Sequence, residues 1–264
     1  MEILICTDGS NSSILSADLV AKFGFPAITR IVILAVSENK ADIERLTSST
    51  EMIEQTLEKK FSLSRKMRYG DPIEEILAEA VEGSYDLVVV GGGGEQLGLL
   101  HTQIGATTGK LARKLHTHFL VVRNIPDRFG KILVCTGTEA PASETMKVGG
   151  EWISKTAAQI GLLHVVPISR KTSEVRSGTK KPHDLLIDRA SKQLHDAGVN
   201  NEIVSRIRHG FVVDEVLKEL SEGGYDLLVV GSHYQPGQDR WQGTLLDDIT
   251  DQLLNRSTCS VLII

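Results

Sequence analysis

Four consecutive glycines, residues 91–94, follow a short apolar stretch that is typical of a β-strand. Glycines at the end of a parallel strand permit unusual backbone angles and let a ligand approach the main chain closely. A helix is predicted to begin near Gly105, where free amides and aligned peptide dipoles favour phosphate oxygens. The hydroxyls of Thr107 and Thr108 would add donors. These residues are typical of a phosphate-binding loop, although a plain turn explains the glycines equally well.

An acidic residue, Asp8, follows the first apolar stretch, ILIC. Carboxylates at this place in related sheets accept hydrogen bonds from the two hydroxyls of a ribose. A ribose acceptor and a phosphate loop together predict a nucleotide site. The histidines give no comparable signal. His101 is expected to be exposed, with contact to a phosphate as the alternative, and His233 is interpreted as structural. His116 and His118 lack the spacing of metal ligands. No catalytic residue and no metal site is predicted.

Alternating strands and helices are needed to position these residues. The runs ILIC, IVILAV, DLVVV and FLVV predict strands, and a more weakly marked strand is expected at residues 63–69. Apolar residues at helical spacing lie between them, and Pro72 suits the first turn of a helix. Near-continuous Val/Ile/Leu strands that alternate with helices imply a parallel sheet covered on both faces. In such doubly wound sheets, ligands bind beyond the carboxyl ends of the strands, where the strand order reverses.

The same arrangement occurs twice in the chain. Residues 70–92 align without a gap to residues 210–232, the start EILICTDGS matches KILVCTGTE, and the end HTHFLVV matches TCSVLII. Such a repeat predicts two tandem doubly wound open-sheet α/β domains, each a five-stranded parallel sheet with helices on both faces. The predicted domains are residues 1–124 and 130–264, because the polar stretch NIPDRFG between them is turn-prone. The charged segment 170–183 is expected to be a solvated connector, with a docking segment as the alternative.

With these motifs the sequence resembles the universal stress protein family, in which an Asp ends the first strand and Gly-x-x-Gly precedes a Gly-Ser/Thr step before the last helix. Gly91 and Gly94 match the first motif, and Gly105-Ala106-Thr107 stands at the second. The resemblance implies a Rossmann-like, adenine nucleotide alpha hydrolase-like fold that binds ATP, with or without Mg²⁺. The site residues that the resemblance carries over are Thr7, Asp8, Val36, Gly91, Gly94, Gly105, Ala106 and Thr107. The chain departs from the pattern at Ala106, which lacks a hydroxyl that Thr107 would supply, and in a loop one residue longer.

The second copy departs from the family at the binding positions. Gly137 stands in place of Asp8, and Tyr234 stands in place of Gly94. Two alignments are open before the last helix: Gly243-Thr244 keeps a Gly-Ser/Thr step, whereas counting back from the last strand places Asp247-Asp248 there. Two carboxylates would repel a triphosphate. A degenerate second site is predicted, so that ATP binds in the first domain only.

Composition narrows the class of protein. The 264 residues are 41% hydrophobic and 24% charged, with a formal net charge of −5, so strong electrostatic attraction to nucleic acid or to an anionic membrane is not expected. No apolar run is long enough to span a bilayer, and the amino terminus lacks the pattern of a signal peptide. Three scattered cysteines suit reduced thiols in a cytoplasm. A cytoplasmic protein is expected.

The leading functional hypothesis is an ATP-binding regulatory protein of the stress response, with slow or no hydrolysis and at most a weak ATPase activity. The alternative is a scaffold that binds no nucleotide and acts through protein contacts. An ATP-using ligase or pyrophosphatase is a weaker hypothesis, because TDGSNSS does not resemble the SGGxDS loop of such enzymes. The two domains are expected to pack as an intramolecular pseudo-dimer. The resemblance to the family implies that the last strands, FLVVR and SVLII, pair as edges across it. The sequence leaves open whether two chains form a homodimer, and it identifies no protein partner.

Overall fold

The computed structural model describes residues 1–57, 60–92, 104–137, 140–167, 182–232 and 248–264. Strands and helices alternate through these residues. The strands are β1 (Glu2–Thr7), β2 (Arg30–Ser37), β3 (Leu63–Tyr69), β4 (Leu87–Gly91), β5 (His118–Val122), β6 (Lys131–Thr136), β7 (Gln159–Pro167), β8 (Ile203–Gly210), β9 (Leu227–Val230) and β10 (Ser260–Ile263). The α-helices are α1 (Asn11–Phe23), α2 (Ile43–Leu57), α3 (Pro72–Gly83), α4 (Ala106–Ala112), α5 (Ala140–Glu144), α6 (Gly150–Ile153), α7 (Pro182–Asp196), α8 (Val212–Gly223) and α9 (Asp248–Arg256).

All ten strands belong to one sheet, in the order β3-β2-β1-β4-β5-β10-β9-β6-β7-β8. The first half (β1 to β5) and the second half (β6 to β10) are each a parallel set with the same order, and this confirms the predicted α/β fold class. The two sets meet where β5 and β10 pair antiparallel, with Val121 opposite Val261. These are the two edges expected to pair, so the predicted pair of five-stranded sheets is continuous.

Apolar side chains form one core layer on each face of this sheet. Successive residues of a strand point to opposite faces, so Ile3 and Ile5 join the layer under α1, α2, α6 and α7. Leu4 and Cys6 join the layer under α3, α4, α8 and α9. Both layers run through both halves, which is the covered parallel sheet that the near-continuous apolar strands predicted.

Helix ends follow the capping residues in the sequence. Ser10 is the N-cap of α1, and its side chain accepts a hydrogen bond from the backbone N–H of Ser13. Gly24 ends that helix in the left-handed conformation, with φ of 72°. Asp71 caps α3 by accepting from two backbone N–H groups, at 2.9 and 3.0 Å, and Pro72 occupies the first turn as predicted. The chain therefore enters both helices at side chains that satisfy free backbone N–H groups, and it leaves α1 at a glycine that suits the left-handed conformation.

A buried glutamate holds the outer strand of each half to the neighbouring helix. In the first half, the fully buried Glu79 of α3 accepts from Lys66 at 2.6 Å, from Arg68 at 2.7 Å and from the hydroxyl of Tyr85 at 2.6 Å. In the second half, Glu219 of α8 has the matching partners, namely Arg206, Arg208 and Tyr225. The duplication thus extends to a buried ionic network, which the sequence analysis did not single out.

Side chains from both halves also meet outside the β5–β10 junction. Phe25 of the first half packs edge-on against Trp152 of α6, with ring centroids 5.6 Å apart, and His118 contacts the same indole at 5.1 Å. On the other face, Arg113 of α4 donates to Asp251 of α9 at 2.7 Å. None of the described helices has the length and apolar character needed to cross a bilayer.

Candidate functional site

The strand order reverses between β1 and β4 of the first half. The chain leaves β1 towards α1 on one face of the sheet, whereas α3, which precedes β4, lies on the opposite face. A crevice therefore opens at the carboxyl ends of these adjacent strands, where ligands bind in doubly wound sheets. The residues at its two sides are Asp8 after β1 and Gly91 at the end of β4.

Asp8 lies exposed in a tight turn between β1 and α1. Its carboxylate oxygen Oδ1 accepts from the backbone N–H of Ser10 at 2.9 Å, and the next residue, Gly9, has a φ of 81° that favours glycine. Desolvation raises the pKa of the Asp8 carboxyl, but hydrogen bonds from Ser10 lower it by more, so the pKa lies below its ordinary value. The turn presents an ionised carboxylate at neutral pH.

Arg45 of α2 is a residue of this site that the sequence analysis missed. Its guanidinium donates a hydrogen bond to the backbone oxygen of Asp8 and forms an ion pair with Asp42 at 3.4 Å. A lone arginine in a polar helix gives no signal in the sequence, because its contact depends on the packing of α2 beside the β1 turn.

Thr7 is buried beneath this turn. Its hydroxyl shares hydrogen bonds of 2.7 Å with Ser13 of α1 and with Ser49 of α2, and it accepts from the backbone N–H of Gly9 at 3.0 Å. The Thr7 hydroxyl is therefore engaged in fixing both helices to the end of β1. Val36, the next-to-last residue of β2, is also buried and belongs to the core layer under α3 and α4.

Gly91 is required by the packing of the protein itself. A Cβ atom at this residue would lie 2.7 Å from the backbone carbon of Ser12 and 2.8 Å from the backbone nitrogen of Ser13. The start of α1 therefore rests directly on the end of β4. This contact brings the Asp8 turn and the glycine-rich end of β4 together.

Replacing Gly91 with alanine is expected to lower the free energy of unfolding by about 1–3 kcal/mol, because the added methyl group would press on backbone atoms that cannot rotate away. Urea unfolding followed by circular dichroism measures this change. The matched control is Gly137→Ala in the second half, where an added Cβ meets nothing within 4 Å. The control is expected to keep the wild-type stability or to gain up to about 1 kcal/mol. Equal losses in both variants would contradict this explanation.

The remaining predicted residues of the first half lie at the start of α4. Gly105 is the N-cap of this helix, and Ala106 and Thr107 are its exposed first two residues. The hydroxyl of Thr108 is directed elsewhere, to the backbone oxygen of Gly91 at 3.3 Å. Since α4 has only seven residues, its electrostatic contribution to anion binding is modest. Gly94 and His101 lie outside the described residues.

The equivalent place in the second half has a different character. Thr250 of α9 donates to the backbone oxygen of Gly231 at 3.1 Å, as Thr108 donates to Gly91. This correspondence places Asp248 at the position of Ala106, as in the gap-free alignment. The first turn of α9 carries Asp248 and Asp251, whereas the first turn of α4 carries no acidic residue. Residues 233–247, with Tyr234, the Gly243-Thr244 step and Asp247, lie outside the described residues.

A pair of histidines in the second half was also missed from the sequence. His164 of β7 is 2% exposed, and its Nε2 lies 3.0 Å from Nδ1 of His183 in α7. The two rings stack with centroids 5.1 Å apart and line a cavity of about 370 Å³. One signal was available, because His164 interrupts the apolar run of a central strand. By register it stands where the first half has Ala35.

Comparisons with known proteins give matches for both halves of the chain. The sequence model of the Universal stress protein family matches residues 1–123 and 128–264. A universal stress protein from Archaeoglobus fulgidus DSM 4304 has a similar structure, with a TM-score of 0.69 at 17% identity over 99% of this chain and 97% of that one. A protein of unknown function from Pseudomonas aeruginosa PAO1 gives a TM-score of 0.70 at 15% identity over 100% of this chain and 92% of that one. At these identities the two structures show the fold alone. No curated protein matches the sequence.

Proposed function

The chain belongs to the universal stress protein family, and from that premise we propose that it is a regulatory protein that binds ATP, with or without Mg²⁺, in its first half only. The observation that carries the proposal is Asp8, an exposed carboxylate with a lowered pKa at the crevice between β1 and β4. An ionised carboxylate there suits the two hydroxyls of a ribose. The second half has Gly137 at the same place.

The charges at the starts of the last helices support binding in one half. A triphosphate at α4 meets no acidic side chain in the first helical turn, and Arg45 brings a positive charge to the neighbouring Asp8 turn. A triphosphate at α9 would meet Asp248, whereas Asp251 is already paired with Arg113 of the first half at 2.7 Å. The like charge of Asp248 would repel the triphosphate and weaken its binding.

Slow or absent hydrolysis is part of the proposal. Hydrolysis of ATP needs a positioned base or a metal-activated water, and the sequence contains no motif that identifies one. The hydroxyl of Thr7 is held by Ser13 and Ser49. We therefore assign the nucleotide a regulatory role, in which its presence changes the stability or surface of the first half.

Isothermal titration of the full chain with ATP, with and without Mg²⁺, tests the proposal. The expected result is one ATP bound per chain, together with a rise in melting temperature that grows with ATP concentration, because a ligand stabilises the state that binds it. Two equivalent ATP molecules per chain would contradict the restriction to the first half. Absence of binding would refute the nucleotide function altogether. Titrations with ADP, AMP and cAMP identify the preferred adenine nucleotide.

A scaffold that binds no nucleotide is the second candidate function. It is favoured by Ala106, which offers no hydroxyl at the exposed start of α4, and by Thr7, whose hydroxyl is already hydrogen-bonded inside the protein. The same titration decides between the two candidates, since a scaffold predicts neither heat of binding nor any shift in melting temperature.

A further inference from the structure

We propose that the second half binds a small, uncharged, ring-containing molecule with one hydrogen-bond donor, in the cavity lined by His164 and His183. The cavity measures about 370 Å³ and lies at the carboxyl ends of β6, β7 and β9, where α8 and α9 close it. This volume is within the range of small-molecule sites. The inference does not depend on ATP binding in the first half.

The walls of the cavity are mainly apolar. Branched side chains from two strands and two helices face it, and they are Leu163, Val165, Val216, Val230, Ile249 and Leu253. No charged side chain is among the described residues that line it. Such walls favour the apolar faces of a ring, because contact with them removes apolar surface from water.

The cavity is the second half's counterpart of the crevice between β1 and β4. Thr136, Val165 and Gly231 line it. They stand where the first half has Thr7, Val36 and Gly91. In the first half, Ser13 fills the position six residues after Thr7 and bonds with its hydroxyl. In the second half, the residue six positions after Thr136 is Ala142, which lines the cavity instead. Ala142 therefore offers no hydroxyl to the cavity, and His164 in place of Ala35 supplies a polar group to its wall.

Hydrogen bonding assigns the protons of the two imidazoles. Nδ1 of His164 lies 3.1 Å from the backbone oxygen of Thr136, and a carbonyl oxygen only accepts, so this nitrogen carries the hydrogen. Nε2 of neutral His164 must then accept from Nδ1 of His183. With Nδ1 of His183 as the donor, Nε2 is the acceptor nitrogen of the uncharged ring, and the described residues provide no partner for it. A ligand that donates an N–H or O–H group would satisfy this acceptor.

Electrostatics favour an uncharged ligand over an anion. Burial lowers the pKa of His164. The hydrogen bond to Thr136 raises this pKa, and the nearby His183 and His209 lower it. The net pKa lies below the ordinary value, so the buried imidazole is neutral at pH 7. Asp248 adds negative charge at the start of α9, the helix that closes the cavity. A nucleotide phosphate would find no cationic partner among the described lining residues.

Indole and N-methylindole form a matched pair of probes, because both are neutral bicycles and only indole has an N–H donor. We expect the full chain to bind one indole with a dissociation constant of about 1 mM or tighter, measured by isothermal titration or by NMR chemical-shift changes. N-methylindole should bind about tenfold more weakly, since it cannot donate to His183. Equal affinities for the two probes would overturn the assignment of His183 as the acceptor.

Two variants separate the cavity from other sites. His183→Leu should abolish the preference for indole over N-methylindole, whereas Leu185→Ala, at an exposed position of the same helix, should keep it. Val165→Phe should fill the cavity and reduce the binding of both probes at least tenfold, with an unchanged circular dichroism spectrum as the check on folding. Persistent probe binding in folded Val165→Phe would overturn the proposal, as would no indole binding by the wild type.

Saturating ATP and the Asp8→Ala variant distinguish this proposal from the nucleotide function. Neither is expected to change indole affinity, because Asp8 belongs to the first half and the cavity to the second. Competition between ATP and indole would place the probe at the nucleotide site and overturn the proposal. Indole binding by a chain that binds no ATP would support the cavity while refuting the nucleotide function.

Discussion

Asp8→Ala is expected to weaken ATP binding at least tenfold. A hydrogen bond to a charged group contributes about 1.5–3 kcal/mol, and each 1.4 kcal/mol is a factor of about ten in affinity. The exposed Asp8 carboxylate offers such bonds to ribose, and removing it leaves the backbone of the turn in place. Isothermal titration of the variant with ATP measures the change. Since Asp8 is exposed and its bond to Ser10 is local, the variant should remain folded.

The matched control for Asp8→Ala lies at the equivalent position of the second half. Gly137→Ala adds a methyl group into open space and removes no polar group, so its ATP affinity should equal that of the wild type. If Asp8→Ala binds ATP as tightly as Gly137→Ala does, the nucleotide does not use the first-half crevice. An equal loss in both variants would indicate a site shared by the two halves.

Glu79→Ala is expected to lower the free energy of unfolding by about 3 kcal/mol, because removing the carboxylate from a buried ionic network leaves its partners without their counter-charge. Glu79 is fully buried, and its loss leaves the hydroxyl of Tyr85 without its 2.6 Å acceptor. Lys66 and Arg68 would each lose their innermost partner, although both remain partly exposed to water. For a chain of this size the loss corresponds to a fall in melting temperature of about 6–12 °C. Thermal unfolding at pH 7 measures it.

Glu82→Ala is the control one helical turn away. Glu82 pairs with the same guanidinium of Arg68, but 61% of its side chain is exposed, so its removal should cost less than about 1 kcal/mol. Comparable losses in the free energy of unfolding for Glu79→Ala and Glu82→Ala would show that burial of the Glu79 carboxylate does not account for its contribution to stability.

The contribution of Glu79 should also depend on pH. Burial raises the pKa of its carboxyl, while bonds from Lys66, Tyr85 and Arg68 lower it by more, so the pKa in the folded state is depressed. A depressed pKa contributes stability above the unfolded-state value of about 4.3, and this stability is lost as the pH falls through the folded-state value. The difference in the free energy of unfolding between wild type and Glu79→Ala should therefore be largest at pH 7 and should decrease below about pH 4.

Much of the fold could be predicted from local patterns. The strand β3 was expected at residues 63–69 and lies at Leu63–Tyr69, and the helix expected to start at Pro72 does so. Continuous apolar runs indicate buried parallel strands because both faces of such a strand need cover. The repeat then predicted the same elements for the second half. The resemblance to the family implied that the last strands of the two halves pair, and they do.

The sequence also predicted that Asp8 and Gly91 lie at one crevice of the sheet, but not which contacts each residue makes there. Asp8 and Gly91 meet at the crevice, because strand order and strand ends follow from the pattern of elements. Gly91 was interpreted as leaving space for a phosphate. In the structure, the backbone of Ser12 occupies the space that a side chain at Gly91 would need. That contact depends on how closely α1 packs on β4, which no local pattern records.

Only the tertiary structure determined which polar side chains are buried and which partners they have. Glu79 lies in a helix between Glu75 and Glu82, and in the sequence these three resemble a solvated face. Arg68, on a neighbouring strand, covers Glu79 and makes its burial tolerable. His164 and His183 are nineteen residues apart and meet only because β7 and α7 pack together. The sequence by itself determined the helices, the strands and their duplication, because backbone preference and apolar periodicity are local. The pairing of buried polar groups is set by contacts between elements that are distant in the sequence, and these contacts exist only in the folded chain.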